Sequence, residues 1–155
     1  ICLLASITNA NPKIANYQFT TLNPNLGVAN YDDKEVTIAD IPGLVEGAHK
    51  GIGLGVQFLK HIERCKSLLH MIDITNDDLK KSYNQVKSEL KNYNLKLNKK
   101  RELVILNKSD LISKDKVKKI LNNFSKNTKS EVIVLSTIDK KSVSKVKSKL
   151  ISYVS

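Results

Sequence analysis

The four residues Asn107-Lys108-Ser109-Asp110 follow directly on the apolar run Leu103-Val104-Ile105-Leu106. An aspartate at the end of a buried strand can accept from the ring N–H and the exocyclic amine of guanine as a bidentate pair, whereas adenine presents an acceptor at that ring position. The asparagine and lysine would then frame the base and cover its face. Asp40-Ile41-Pro42-Gly43 ends a second apolar stretch, Val36-Thr37-Ile38-Ala39. Here the carboxylate could hold a magnesium-bound water, and the glycine would let a backbone N–H approach a phosphate oxygen with no Cβ in the way. Upstream, in Phe19-Thr20-Thr21-Leu22, the Thr21 hydroxyl could ligate magnesium while its N–H senses a terminal phosphate. Each segment has an ordinary alternative: a solvated loop, an Asp-x-Pro-Gly turn, a Thr-Thr pair without a task. Their order, with the two aspartate segments each closing a strand-like run, favours nucleotide chemistry.

The elements that must position these groups alternate along the chain. Residues 2–8 read as a helix, 11–24 as an extended segment, 27–31 and 35–40 as strands, 54–64 as a helix and 68–73 as a buried strand. Asn76-Asp77-Asp78 supplies an N-cap for a helix to about residue 96, with Leu79, Tyr83, Val86, Leu90 and Tyr93 at helical spacing. A strand over 103–107, a helix over 114–123, a strand over 132–136 and a helix over 142–153 complete the pattern. Such β-then-α alternation predicts an α/β fold with a doubly wound, mainly parallel sheet, whose ligands bind at the carboxyl ends of the strands. Tyr17, Phe58 and Phe124 read as packing residues.

Three longer stretches carry a family resemblance. They are Asn11-Pro12-Lys13-Ile14-Ala15-Asn16-Tyr17-Gln18-Phe19-Thr20-Thr21-Leu22-Asn23-Pro24-Asn25-Leu26-Gly27, then Ile38-Ala39-Asp40-Ile41-Pro42-Gly43-Leu44-Val45-Glu46-Gly47-Ala48, then Gly51-Ile52-Gly53-Leu54-Gly55 leading into Phe58-Leu59-Lys60-His61-Ile62-Glu63-Arg64. With Leu68-Leu69-His70-Met71-Ile72-Asp73, Asn107-Lys108-Ser109-Asp110 and Leu135-Ser136-Thr137, they make the chain resemble the Obg GTPases over essentially its whole length. The Drg and YchF-like GTPases share the threonine switch and Asp-x-Pro-Gly but fit the glycine-rich run less well. The resemblance implies a P-loop GTPase fold, GTP hydrolysis to GDP and a role in ribosome assembly. It assigns nucleotide contacts to Phe19, Thr20, Thr21, Leu22, Asp40, Ile41, Pro42, Gly43, Asn107, Lys108, Ser109 and Asp110. Ser136, Thr137 and Ile138 correspond to the loop whose backbone supports the guanine oxygen, and Mg2+ falls to Thr21 and Asp40. Family members commonly carry a glycine shortly after that loop, whereas Asp139-Lys140-Lys141-Ser142 has none.

Two departures matter. Obg proteins carry GxPNxGKST just before the helix that here begins Leu3-Leu4-Ala5-Ser6, and the 155 residues open with Ile1-Cys2 where the last Ser-Thr would fall. The resemblance therefore predicts an N-terminally truncated G domain over 1–155, lacking the first strand and the P-loop, with a gap between the strands ending at Asp40 and Asp73. Without the P-loop, GDP affinity is expected to be no tighter than roughly the millimolar range. Second, Leu44 stands where many GTPases place a water-orienting glutamine. That implies slow hydrolysis that leans on a cation or a ribosomal partner, and no general base can be named.

Composition adds bounds. The 155 residues, 41% apolar, suit one α/β domain. No run of about 18 apolar residues and no leader or lipidation pattern is present, so a cytoplasmic chain without a membrane segment is expected. Cys2 and Cys65 are too few for a disulfide framework, and His49, His61 and His70 are too scattered for a metal site. Twenty-six Lys plus Arg against fifteen Asp plus Glu give a net +11. Such an excess favours a polyanionic partner such as the rRNA of a ribosomal subunit. Almost all of the excess is lysine accompanied by many asparagines, which an AT-rich genome would produce on any solvated surface, and the lysines around 87–100 and 140–149 carry no interleaved aromatics, so the genomic explanation is somewhat favoured. Two readings stand at this point: the nucleotide-binding domain of an Obg-like GTPase, or a P-loop-less, non-enzymatic remnant with weak or no GTP binding.

Overall fold

Alternation in the first strands and continuous apolarity in the later ones produce two different sheets. The structure is a computed structural model, and it describes residues 13–14, 25–40, 63–93, 96 and 99–154. The chain divides into two compact units, one of Ile1–Arg64 with Lys147–Ser155 and one of Cys65–Val146.

In the first unit, β2 (Asn25–Tyr31) and β3 (Lys34–Asp40) form an antiparallel hairpin, with β1 (Lys13–Ile14) on the outer side of β2. Gly27 and Ala29 are buried while Val28 and Asn30 are exposed, the period of two expected of a strand with one covered face. Ala29 lies opposite the buried Val36. The turn is the two-residue Asp32-Asp33, both left-handed with φ of 53° and 60°. A turn of that hand matches the twist of the strands, and aspartate tolerates it better than a branched residue would. The hairpin starts two residues earlier than the apolar pattern predicts, because Asn25 and Leu26 continue the ladder opposite Asp40 and Ala39.

In the second unit, β4 (Ser67–Asp73), β5 (Arg101–Asn107) and β6 (Glu131–Val134) form a parallel sheet in that order. Among the described residues a helix follows each of these strands in turn: α1 (Leu79–Tyr93), α2 (Lys114–Asn127) and α3 (Lys140–Val154), the last counted with the first unit from Lys147 onward. β5 is the central strand and buries five consecutive residues, as a strand covered on both faces must. Its Val104 and Leu106 join Ile72, Ile74, Tyr83 and Phe124 in one core, against which Leu79, Val117 and Ile120 pack. The expected cap is Asp78, whose carboxylate accepts from the N–H of Lys81 at 2.8 Å. α2 runs on to Asn127, past the predicted end at 123, because Phe124 continues the apolar stripe of Val117 and Ile120. β6 stops at Val134, two residues short of the prediction, and the Ser136 N–H turns to the Ser142 hydroxyl instead.

The parallel α/β arrangement is thus present, and β3 and β4 belong to separate sheets. The helix predicted over 2–8, the extended segment 11–24 apart from β1, and the helix predicted over 54–64 apart from Glu63 and Arg64 lie outside the described residues. Among those described, no helix is long and apolar enough to cross a membrane.

Candidate nucleotide site

Register brings three strand ends together. Asp73 at the end of β4 lies opposite Asn107 at the end of β5, and Leu106 lies opposite Val134 at the end of β6. The Asn107 carbonyl accepts from the Ile74 N–H at 2.9 Å, which carries the β4–β5 ladder one step beyond the strand. The chain then has to turn sharply, and Lys108 does so in the left-handed region with φ 63° and ψ 35°. That conformation costs a residue with a Cβ about 1 kcal/mol and persists only where the surroundings fix it. Here they do: Ser109 N–H donates to the Leu135 carbonyl at 3.1 Å, and Leu111 N–H closes a short 3-10 turn on the Lys108 carbonyl at 3.1 Å.

This turn presents Asp110 toward β6's exit. The Ser136 hydroxyl donates to Asp110 Oδ1 at 2.7 Å, and the Ser136 N–H donates to Ser142 Oγ in the first turn of α3 at 3.0 Å. Ser136 is buried while Asp110 stays exposed, so the carboxylate is aimed by a fixed hydroxyl and keeps acceptor capacity toward solvent. Thr137 and Ile138 form the turn that follows, closed by Asp139 N–H on the Ser136 carbonyl at 3.2 Å, and the Ile138 side chain is 79% exposed. No residue from Ser136 to Asp139 takes a positive φ, so this turn does not require the glycine that Obg proteins often carry after it.

Asn107 and Lys108 complete the cluster in different ways. Asn107 Oδ1 is buried and has no hydrogen-bond partner among the described residues, a costly condition for an amide oxygen. Lys108 Nζ lies 2.5 Å from Asp73 Oδ2. The other Asp73 oxygen accepts from both the N–H and the hydroxyl of Thr75, at 3.0 and 2.7 Å. The Lys108 hydrogen bond and then those from Thr75 hold the Asp73 carboxyl down at about 2. Asp73, Thr75 and Ser142 were not singled out from sequence. For Asp73 a signal existed, since an acid closing the strand beside Asn107 must share its edge of a parallel sheet.

Asn107, Lys108, Ser109, Asp110, Ser136, Thr137 and Ile138 are therefore gathered at one edge of one sheet. Asp40 is the last residue of β3, in the other unit. Phe19, Thr20, Thr21, Leu22, Ile41, Pro42 and Gly43, and with them the Thr21 half of the expected magnesium site, lie outside the described residues.

Residues 2–108 match the family described as 50S ribosome-binding GTPase. The chain belongs to that family. Within it the likeness is to the Obg type: the chain is 67% identical over 153 residues to GTPase Obg of Pelagibacter ubique, covering 99% of this chain and 47% of that protein. GTPase Obg of Ehrlichia canis is 54% identical over 79% of this chain and 37% of its own length. The chain thus spans about half, or less, of the curated relatives it matches. In structure it is similar to the cytosolic domain of the Thermotoga maritima FeoB iron transporter in its GMPPNP form, with a TM-score of 0.74 at 16% identity over 98% of this chain and 57% of that one. The isolated G domain of the same transporter gives 0.67 at 16% identity, over 99% of this chain and 90% of that one. The elongation factor SelB of Methanococcus maripaludis with GPPNHP gives 0.65 at 14% identity, over 99% and 30%. At such identities these likenesses show a shared P-loop GTPase fold.

Proposed function

We propose that residues 1–155 act as one Obg-type G domain: the part of a cytoplasmic GTPase that binds guanine nucleotide, hydrolyses GTP to GDP and serves ribosome assembly. The observation that carries this reading is the Asp110 carboxylate, held at the exit of β5 by the Ser136 hydroxyl at 2.7 Å and still open to solvent. A carboxylate fixed in that way can take two parallel N–H donors from guanine, and the orientation is set before the ligand arrives. The buried Asn107 Oδ1 supports the same reading, since an acceptor without a partner suits a site completed by a ligand or a further segment. Thr137 and Ile138 offer backbone groups beside the base, while the Ser136 N–H is given to Ser142 Oγ and Ser136 acts through its hydroxyl on Asp110.

Mg2+, by family resemblance, would be held by Thr21 and Asp40, and when bound it would offset charge on the phosphates. The contact to the terminal phosphate is assigned to the Gly43 N–H. Leu44 supplies no water-activating group, so hydrolysis rests on other groups, on a cation or on a ribosomal partner. The net charge of +11 accords with docking on rRNA.

Asp110→Asn tests the reading. In the chain extended ahead of Ile1 by a GxPNxGKST segment, the substitution replaces an acceptor pair with a donor-bearing amide. Preference should move from GDP toward XDP by about 2–3 kcal/mol. An unchanged ratio of GDP to XDP affinity refutes the assignment.

A further inference from the structure

The Asp73 carboxylate sits among the groups gathered for the base, yet the family resemblance assigns it no contact with the nucleotide. Its two oxygens are divided between two tasks. Oδ1 accepts from the N–H and the hydroxyl of Thr75, which fixes the plane of the carboxylate at the turn after β4. Oδ2 faces Lys108 Nζ at 2.5 Å. At its other end the lysine is fixed too, because its Cα is locked in the left-handed region and its carbonyl closes the turn onto Leu111. A lysine stem is otherwise free to sample many rotamers, and pinning both ends leaves few.

We propose that Asp73 is a positioning residue for the guanine slot: it holds Lys108 by the ammonium so that the methylene stem spans from the end of β5 to the end of β4 and forms one wall against the face of the base. This rests on the reading of Asp110 as the group that contacts the edge of guanine. The two carboxylates then have separable tasks, Asp110 choosing the base and Asp73 holding the surface on which any purine would lie. The pair is a weak contributor to folding, since its side chains are 53% and 35% exposed and surface ion pairs add little stability. The value of the contact lies in placement, where ordering a side chain before binding removes part of the entropic cost of ordering it afterwards.

The test uses the 155-residue chain with Asp73→Asn, which keeps an oxygen for Thr75 and should leave the melt unchanged, and with Lys108→Met, which keeps a stem without the ammonium. Trace acetylation of Lys108, read by mass spectrometry without nucleotide, should run several-fold faster in Asp73→Asn than in wild type. In the chain extended ahead of Ile1 by a GxPNxGKST segment, titrated with GDP and with IDP, which lacks the exocyclic amine, Asp73→Asn should lose roughly three- to fivefold in affinity for both alike. In the Lys108→Met background the same substitution should then have no further effect. Equal acetylation rates overturn the proposal, as does a loss confined to GDP or one that persists without the ammonium. Failure of the guanine reading looks different: wild type would show no preference for GDP over ADP, while acetylation would still report whether Asp73 holds Lys108.

Discussion

Glu102 is a carboxylate in the second position of the central strand, and its side chain is only 2% exposed. Burial by itself would raise its pKa, but hydrogen bonds from His70 and Ser130 and the charge of Lys87 outweigh that and bring it from 4.5 to about 2. The contacts are specific: Ser130 Oγ at 2.8 Å, Tyr83 Oη at 3.1 Å and Lys87 Nζ at 3.2 Å share Oε2, and His70 Nδ1 lies 3.1 Å from Oε1. His70 stacks on Tyr83, and Tyr83 meets Phe124 edge-on, so the polar node is continuous with the core. A group whose folded pKa lies below its unfolded value binds fewer protons in the folded state. Its contribution is therefore complete above about pH 4.5, falls as the pH drops, and is gone below about 2. The gap between 4.5 and about 2 corresponds to about 3 kcal/mol. Glu102→Gln removes the charge while keeping the shape. Urea unfolding of wild type and variant, followed by circular dichroism between pH 2 and 6, gives a difference curve in which the other carboxylates, Asp73 included, cancel. Wild type should exceed the variant by up to about 3 kcal/mol at pH 6, and the two should converge near pH 2. Parallel profiles across that range would show that the node does not hold Glu102 ionised.

In the chain carrying a P-loop segment, Ser136→Ala removes the hydroxyl that aims Asp110 and should weaken GDP binding by about 1 kcal/mol, or roughly fivefold, with little change in the melt; isothermal titration beside a thermal scan separates the two. Asp33→Gly puts glycine at a left-handed position of the β2–β3 turn, where relief of the Cβ contact exceeds the entropy added to the unfolded chain, and should raise stability by about 0.5 kcal/mol in denaturant titration. Thr21→Ala and Asp40→Ala, in the chain carrying a P-loop segment, should cost more GTP affinity than GDP affinity in magnesium, and equal losses would make those residues structural.

What the sequence discloses follows from how local the governing physics is. Asp73 and Asn107 close short apolar runs within a β-then-α alternation, so the position of Asn107-Lys108-Ser109-Asp110 at the carboxyl end of a strand is readable from that pattern together with the run lengths. The Asp110 to Ser136 hydrogen bond is not, because it joins residues 26 apart whose meeting depends on register and on where β6 stops. The same holds for Glu102. In sequence it is one acid at the margin of an apolar run, and only the packing of β4, α1 and the segment before β6 shows four donors converging on it. Lys108 illustrates a third kind of limit: its left-handed backbone is imposed by hydrogen bonds from either side, and no local preference of lysine would suggest it.

The groups proposed to read the base all fall within Cys65–Val146, on consecutive ends of one parallel sheet backed by one hydrophobic core. Those proposed for magnesium and the terminal phosphate, Thr21, Asp40 and Gly43, fall in the other unit. On this proposal base choice rests on Asp110–Ser136 and Lys108–Asp73, hydrogen bonds that both lie within that unit of Cys65–Val146. On the same proposal the third phosphate is sensed by Thr21 and Gly43, residues remote in sequence from Asp110. A nucleotide switch needs that separation: if the same residues fixed the base and registered the terminal phosphate, hydrolysis would loosen the grip on guanine as well as release the switch. The Asp110–Ser136 and Lys108–Asp73 contacts put that demand in structural terms, since both join strand ends within the same sheet.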